Sequence, residues 1–264
     1  MPFNVLSLGC SHSLGYYNEK NEPSHQNTWP NAVYQAHKEK INQWWHIALP
    51  GHGIIDYCWT LLELEKNNLL DKIDTLVIQY TSEPRIIFYP IPNVIQKFFR
   101  SVVHQSFIDN NKPYSSMSLS YFIRTRGLKV PPLNMASTSI IPHIVDGVFT
   151  SDNYQRGTKE AIEQLKHWDL ITSSFSESTA VRFSIKYSHQ EIKAICERNN
   201  IKLFQFIWPY VTGPDWMIED DIKYVDENIS DYRKIANKNL HVNKIGCDII
   251  NKNILEHLKY LGKN

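Results

Sequence analysis

Short apolar runs recur along the chain, and each is closed by a turn signal. In residues 3–8, Val5, Leu6 and Leu8 precede Gly9. Trp44-Trp-His-Ile-Ala48 is followed by Leu49-Pro-Gly-His-Gly53, a turn with two glycines. Asp74 to Gln79 ends at Tyr80-Thr81-Ser82, and Ile201 to Trp208 is broken by Pro209. Runs of this length bounded by turn residues predict four buried strands.

Between them the apolar period changes to that of helices. Asn27 or Thr28 suits the cap of a helix from Trp29 to about Lys38, with Pro30 in its first turn. Ile54, Ile55, Cys58, Leu61, Leu62 and Leu64 form the apolar side of the next helix, with Asp56, Glu63 and Glu65 on its polar side. Ala161, Ile162, Leu165 and Trp168 lie on one helical face. Residues 172–199 read as mostly helical, with Ser188 and Glu191 as a capping box ahead of Ile192 and Ile195. A last helix starts near Asn243, with Ile245, Ile249, Ile250, Ile254, Leu258 and Leu261 as its stripe. Strands alternating with helices predict an α/β fold: a central parallel sheet of four or five strands covered by helices.

Residues 84–156 break the pattern. They carry seven of the prolines, scattered aromatics and little periodicity. They are expected to form an irregular insertion after the third strand, with short helices around 93–108 and 115–126. A lid over the sheet edge, a packed excursion and an oligomerisation surface all fit such a stretch. The 264 residues are otherwise expected to form a single domain.

Composition narrows the function. Lys plus Arg is 28 against 27 acidic residues, a formal charge of +1, so nucleic acid is not an expected partner. The hydrophobic share of 42% and charged share of 21% are ordinary for a globular chain. Cys10, Cys58, Cys196 and Cys247 are far apart and form no C-x-x-C pair, which argues against a disulfide framework or structural zinc. His25, His52, His104, His143, His167 and His189 show no H-x-x-x-H spacing, so neither metal nor cofactor is expected. No secretory signal or transmembrane run is evident; a soluble cytoplasmic protein with no membrane partner is the expectation.

The chemistry concentrates where the first strand ends, in Gly9-Cys-Ser-His-Ser13. Open α/β sheets place ligands at the carboxyl edge of their strands. Ser11 there is a candidate nucleophile, and the competing reading is a plain strand-to-helix turn. The next residue, His12, is not the expected base, because neighbouring side chains diverge. His241, just before the last helix, is the expected base, provided its loop reaches the same edge.

Read together, these segments resemble the SGNH (GDSL-like) hydrolase superfamily, in its divergent Gly-Cys-Ser form. Gly9-Cys10-Ser11 matches the nucleophile block, with Cys10 where Asp is usual. Leu49-Pro50-Gly51 matches the glycine block after the second strand. His241 with Val242-Asn243-Lys244-Ile245-Gly246 is similar to the family's C-terminal histidine block. The resemblance implies a flavodoxin-like three-layer sandwich. It also implies an ester-cleaving serine hydrolase in which Ser11 attacks and His241 carries the proton. The substrate class it implies is an O-acyl group on a carbohydrate or small molecule.

Two blocks depart from the pattern. The third reads Gln79-Tyr80-Thr81-Ser82-Glu83-Pro84-Arg85, without Gly-x-Asn. Gly51, Thr81, Ser82 and Arg85 are then the oxyanion or substrate candidates, although Arg85 also suits an ion pair with Glu83. The acid expected before His241 is replaced by Lys238 and Asn239, leaving either a Ser–His dyad, with Asn239 to orient the imidazole, or an upstream acid among Asp221, Asp226 and Asp231 in that role. Three alternatives stay open: a catalytically degenerate binding protein, an O-acyltransferase using the same residues, and a phosphate- or nucleotide-binding turn.

Overall fold

The chain's first strand is its central one. A computed structural model describes residues 2–13, 28–48, 53–80, 85–87, 114–118, 142–145, 148–151, 179–207, 223–224, 244–259 and 261. The strands are β1 (Phe3–Gly9), β2 (Ile41–Ala48), β3 (Thr75–Tyr80), β4 (Arg85–Ile87), β5 (Tyr114–Ser118), β6 (Pro142–Val145), β7 (Val148–Ser151), β8 (Lys202–Ile207) and β9 (Lys223–Tyr224). The described helices are α1 (Trp29–His37), α2 (Ile54–Lys66), α3 (Thr179–Arg198) and α4 (Lys244–His257). The four strands expected from the apolar runs form a parallel core, β2-β1-β3-β8, extended by β5 and the two-residue β9 at its edges. This is an α/β fold.

Strand alternation divides the core into two. Leu6, Leu8, Trp45, Ile47, Leu76 and Ile78 join α2 and α3 residues such as Leu61, Leu64, Ile192 and Ile195 in one cluster. Val5, Trp44, Val77 and Phe206 join Trp29 and Val33 of α1 and Ile250 and Ile254 of α4 in the other. Adjacent strand residues point to opposite faces, so this split follows from the period of two. α2 packs on α3 and α1 on α4. Each fully buried Leu or Ile contributes about 1.5–3 kcal/mol through water exclusion.

α2 and α3 end alike. Asn68 and Asn200 take left-handed φ values of 53° and 55°. After α2, the Leu69 amide donates to Leu64 O at 3.0 Å and that of Asn68 to Glu65 O at 2.9 Å. After α3, the Ile201 amide donates to Cys196 O at 2.8 Å and that of Asn200 to Glu197 O at 3.2 Å. These are matched Schellman caps, with Asn supplying the left-handed residue in place of Gly. The two helix ends are tied by Arg198, which donates twice to Glu65 at 2.6 Å and also to Glu191 at 3.0 Å. That guanidinium holds the Glu65 carboxyl below the usual glutamate range, against the opposing effect of burial and with further help from Asn199.

Three local expectations are corrected. Within the expected helix 115–126, residues up to Ser118 belong to β5, paired parallel with β2. Tyr, Ser and Met in this stretch offer no helical apolar stripe, and the free edge of β2 offers a backbone ladder. Ser188 does not cap a helix; α3 begins at Thr179 and runs through it. Asp56 is not on a solvent face: it is 2% exposed and accepts from the Gly53 amide at 3.1 Å, closing the first turn of α2. The expected helices at 93–108 and around 161–168 lie outside the described residues. Within 84–156, β4, β6 and β7 form a separate antiparallel sheet.

Candidate functional site

All strands of the main sheet run the same way, so their carboxyl ends share one edge. Gly9 lies beside Ala48, and Ala48 beside Ser118. Directly after β1 the chain makes a single 3-10 turn, Ser11–Ser13, in which the Ser13 amide donates to Cys10 O at 3.0 Å. Cys10 is fully buried, Ser13 is 1% exposed, and His12 is also buried. The nucleophile candidate Ser11 thus occupies a short turn at the carboxyl edge of the central strand.

That turn is held from both neighbouring strands. On the β2 side the register sets Ser7 opposite His46. Ser7 Oγ lies 2.9 Å from His46 Nδ1, and His46 Nε2 lies 3.1 Å from Ser13 Oγ. Counting protons gives the chain a direction. Ser13 Oγ donates its one proton to Cys10 O at 2.7 Å, so it accepts from His46 Nε2. Trp44 Nε1 donates to Ser7 Oγ at 2.8 Å. The nearest acceptor for the Ser7 proton is His46 Nδ1, with Trp45 O farther off at 3.3 Å. The contacts run from Trp44 through Ser7 to His46, which donates to Ser13, and Ser13 donates to Cys10 O. At the Ser13 end this places a proton on His46 Nε2.

On the β3 side Gln79, fully buried, plays the corresponding part. Trp29 Nε1 donates to Gln79 Oε1 at 2.7 Å, and an indole N–H can only donate. The amide is thereby oriented with Nε2 toward Cys10 Sγ, 3.6 Å away. Trp29 also packs edge-on against the His46 ring, with centroids 5.9 Å apart. Gly9 is required by this closeness. A Cβ there would fall 2.5 Å from Ser13 Oγ and 3.0 Å from Gln79 Oε1.

Among the described residues, the histidine in contact with a serine of this turn is His46, through Ser13. This pair does not have the polarity of a nucleophile and its base: the imidazole donates to the hydroxyl, and His46 is only 1% exposed. Of the residues read as candidates, Ser11 lies in the described turn and Arg85 in β4. Gly51, Thr81, Ser82, Asn239 and His241 lie outside the described residues. Ser13 and Gln79 lie in the first and third blocks of the sequence reading, but neither they nor Ser7 and His46 were assigned a supporting role there. Their signal was available: Ser7, His46 and Gln79 are polar residues inside apolar strands, and a buried polar group must find a partner.

A second buried polar group lies between β3, α3 and β8. Tyr80 Oη and His189 Nε2 lie 3.3 and 3.0 Å from Gln205 Oε1, and a carbonyl oxygen only accepts. Among the described residues no group of His, Cys, Asp or Glu is arranged to hold a metal ion. No described helix is long and apolar enough to cross a membrane. Burial, reinforced by nearby carboxylates, pushes the thiols of Cys58 and Cys196 up to about 12. Neither thiol is a nucleophile at neutral pH.

Comparison with protein-family models, curated proteins and solved structures yields no match to this chain. Fold and local chemistry define the class as far as an α/β protein with a constrained serine turn at its sheet edge.

Proposed function

We propose that this chain is a serine hydrolase that cleaves an ester, built on a flavodoxin-like sandwich and using SGNH-like chemistry. Ser11 attacks the acyl carbon as His241 accepts its proton; His241 passes that proton to the alcohol that leaves, then takes a proton from the water that hydrolyses the acyl-enzyme and returns it to Ser11. Backbone amides of Ser11 and Gly51, with Thr81 or Ser82, stabilise the oxyanion. Arg85 serves the substrate, and Asn239 orients the imidazole. The substrate class is an O-acyl carbohydrate or small-molecule ester.

The supporting observation is the position of the Ser11 turn, directly after the central strand of a parallel sheet and at its carboxyl edge. A fluorophosphonate is expected to modify Ser11 in the folded protein, and both Ser11→Ala and His241→Gln to abolish turnover of short-chain aryl esters. Absence of labelling, with no esterase activity lost in Ser11→Ala, would exclude the hydrolase.

A second reading is a catalytically degenerate binding protein of the same fold. It is favoured by the missing Gly-x-Asn after β3 and by Lys238 and Asn239 where an acid is expected. Such a protein would bind acylated sugars without turnover. An O-acyltransferase, which passes the acyl group from Ser11 to a second hydroxyl, would be labelled like the hydrolase but would accelerate with added acceptor.

A further inference from the structure

We infer that His46 is a positioning residue: it clamps the Gly9–Ser13 turn through Ser13 and so sets the reactivity of Ser11. The inference rests on the hydrolase reading for its consequence at Ser11, but its geometry stands independently. His46 sits on the rigid strand β2, not on the turn. Its ring is fixed on the far side by Ser7, which is itself fixed by Trp44 Nε1. On the near side its Nε2–H reaches Ser13 Oγ, whose own proton closes back on Cys10 O. The two ends of the turn, Cys10 and Ser13, are thereby tied to each other and to the sheet, with Ser11 between them. Gln79 secures Cys10 from the opposite strand.

A nucleophile needs placement within a fraction of an ångström, and placement is strongest when the supporting groups are themselves locked. In place of His46, a Phe would supply similar apolar packing without the cost of burying two polar nitrogens, a cost that the contacts of both ring nitrogens offset. What the imidazole adds inside this apolar strand is the polar tie to the turn.

The test uses the cysteines as reporters. Cys10, Cys58, Cys196 and Cys247 are all buried, and only Cys10 is in the turn. His46→Phe keeps a ring of similar size and removes both nitrogens, whereas His46→Gln retains an amide donor. The full-length wild type and both variants are treated with iodoacetamide at neutral pH, and alkylation is mapped by peptide mass spectrometry. In His46→Phe, Cys10 should react about tenfold faster or more while the other three stay protected, because lost hydrogen bonds raise the population of the locally open turn. In His46→Gln its protection should largely return. Fluorophosphonate labelling of Ser11 should fall in His46→Phe by about the same factor and recover in His46→Gln.

Unchanged Cys10 protection in His46→Phe would overturn the clamp. So would simultaneous opening of all four cysteines, which would make His46 an ordinary core residue. If wild-type Ser11 is not labelled at all, the hydrolase reading fails, and the Cys10 pattern still decides the clamp.

Discussion

Replacing Gly9 by Ala places one methyl group where the site has no room. The new Cβ would meet Ser13 Oγ at 2.5 Å, Ser13 Cβ at 2.9 Å and Gln79 Oε1 at 3.0 Å. Rotating the Ser13 hydroxyl relieves only the first contact, because Ser13 Cβ is fixed to the turn backbone. The turn must therefore move, at the expense of the bonds from Ser13 to Cys10 O and from His46 to Ser13. Two buried hydrogen bonds at about 1 kcal/mol each, with residual strain, give a destabilisation of roughly 2–4 kcal/mol. The smaller entropy of the unfolded Ala chain offsets about 0.4–1 kcal/mol of this. Urea unfolding should show a lower midpoint with an unchanged slope. Ser13→Gly removes both close contacts on that side, so Gly9→Ala made in that background should cost less by about 1 kcal/mol or more. A cost below about 0.5 kcal/mol, the same in both backgrounds, would refute the steric argument.

Two further outcomes follow from the helix ends. Arg198→Gln should lower stability by about 1 kcal/mol at neutral pH, a modest figure because the cluster is partly exposed. Glu65 is depressed in the folded state, so its contribution is present above the ordinary glutamate value and lost as pH falls through the lower folded value. The gap between wild type and Arg198→Gln in urea midpoints should therefore narrow in acid, and a constant gap would contradict the assignment. Asp56→Ala removes the acceptor for the Gly53 amide at the start of α2 and should cost about 0.5–2 kcal/mol. Thermal unfolding measures it, and no change in melting temperature would show that the Gly53 amide has another partner.

The parallel core was legible because its signal is local. Val5, Leu6 and Leu8, or Leu76, Val77 and Ile78, are short apolar runs bounded by turns, and no tertiary knowledge is needed to read them. β5 was not legible. Tyr114–Ser118 lacks an apolar run, and only the open edge of β2 makes it a strand. Asp56 was misplaced because helical periodicity does not distinguish a solvent face from a first turn that captures its own carboxylate. The site was legible as far as its turn. Its supports depend on register: Ser7 meets His46 only because β1 and β2 align that pair, and the sequence contains no record of that alignment.

Central placement of β1 also imposes an order of assembly during synthesis. The histidine that steadies Ser13 is 33 residues downstream, and the glutamine beside Cys10 is 69 downstream. The Ser11 turn cannot be completed until β3 has been made. The outer edge of β3 then waits for β8, with Gln205 a further 125 residues beyond Tyr80. At ribosomal speeds that interval is roughly 6–25 s. Throughout it, a strand of Thr75-Leu-Val-Ile-Gln-Tyr80, wholly buried in the finished protein, has no partner on one side. Such an edge is a template for pairing with other chains, so the yield of native protein should depend on translation rate and on chaperones that shield nascent strands.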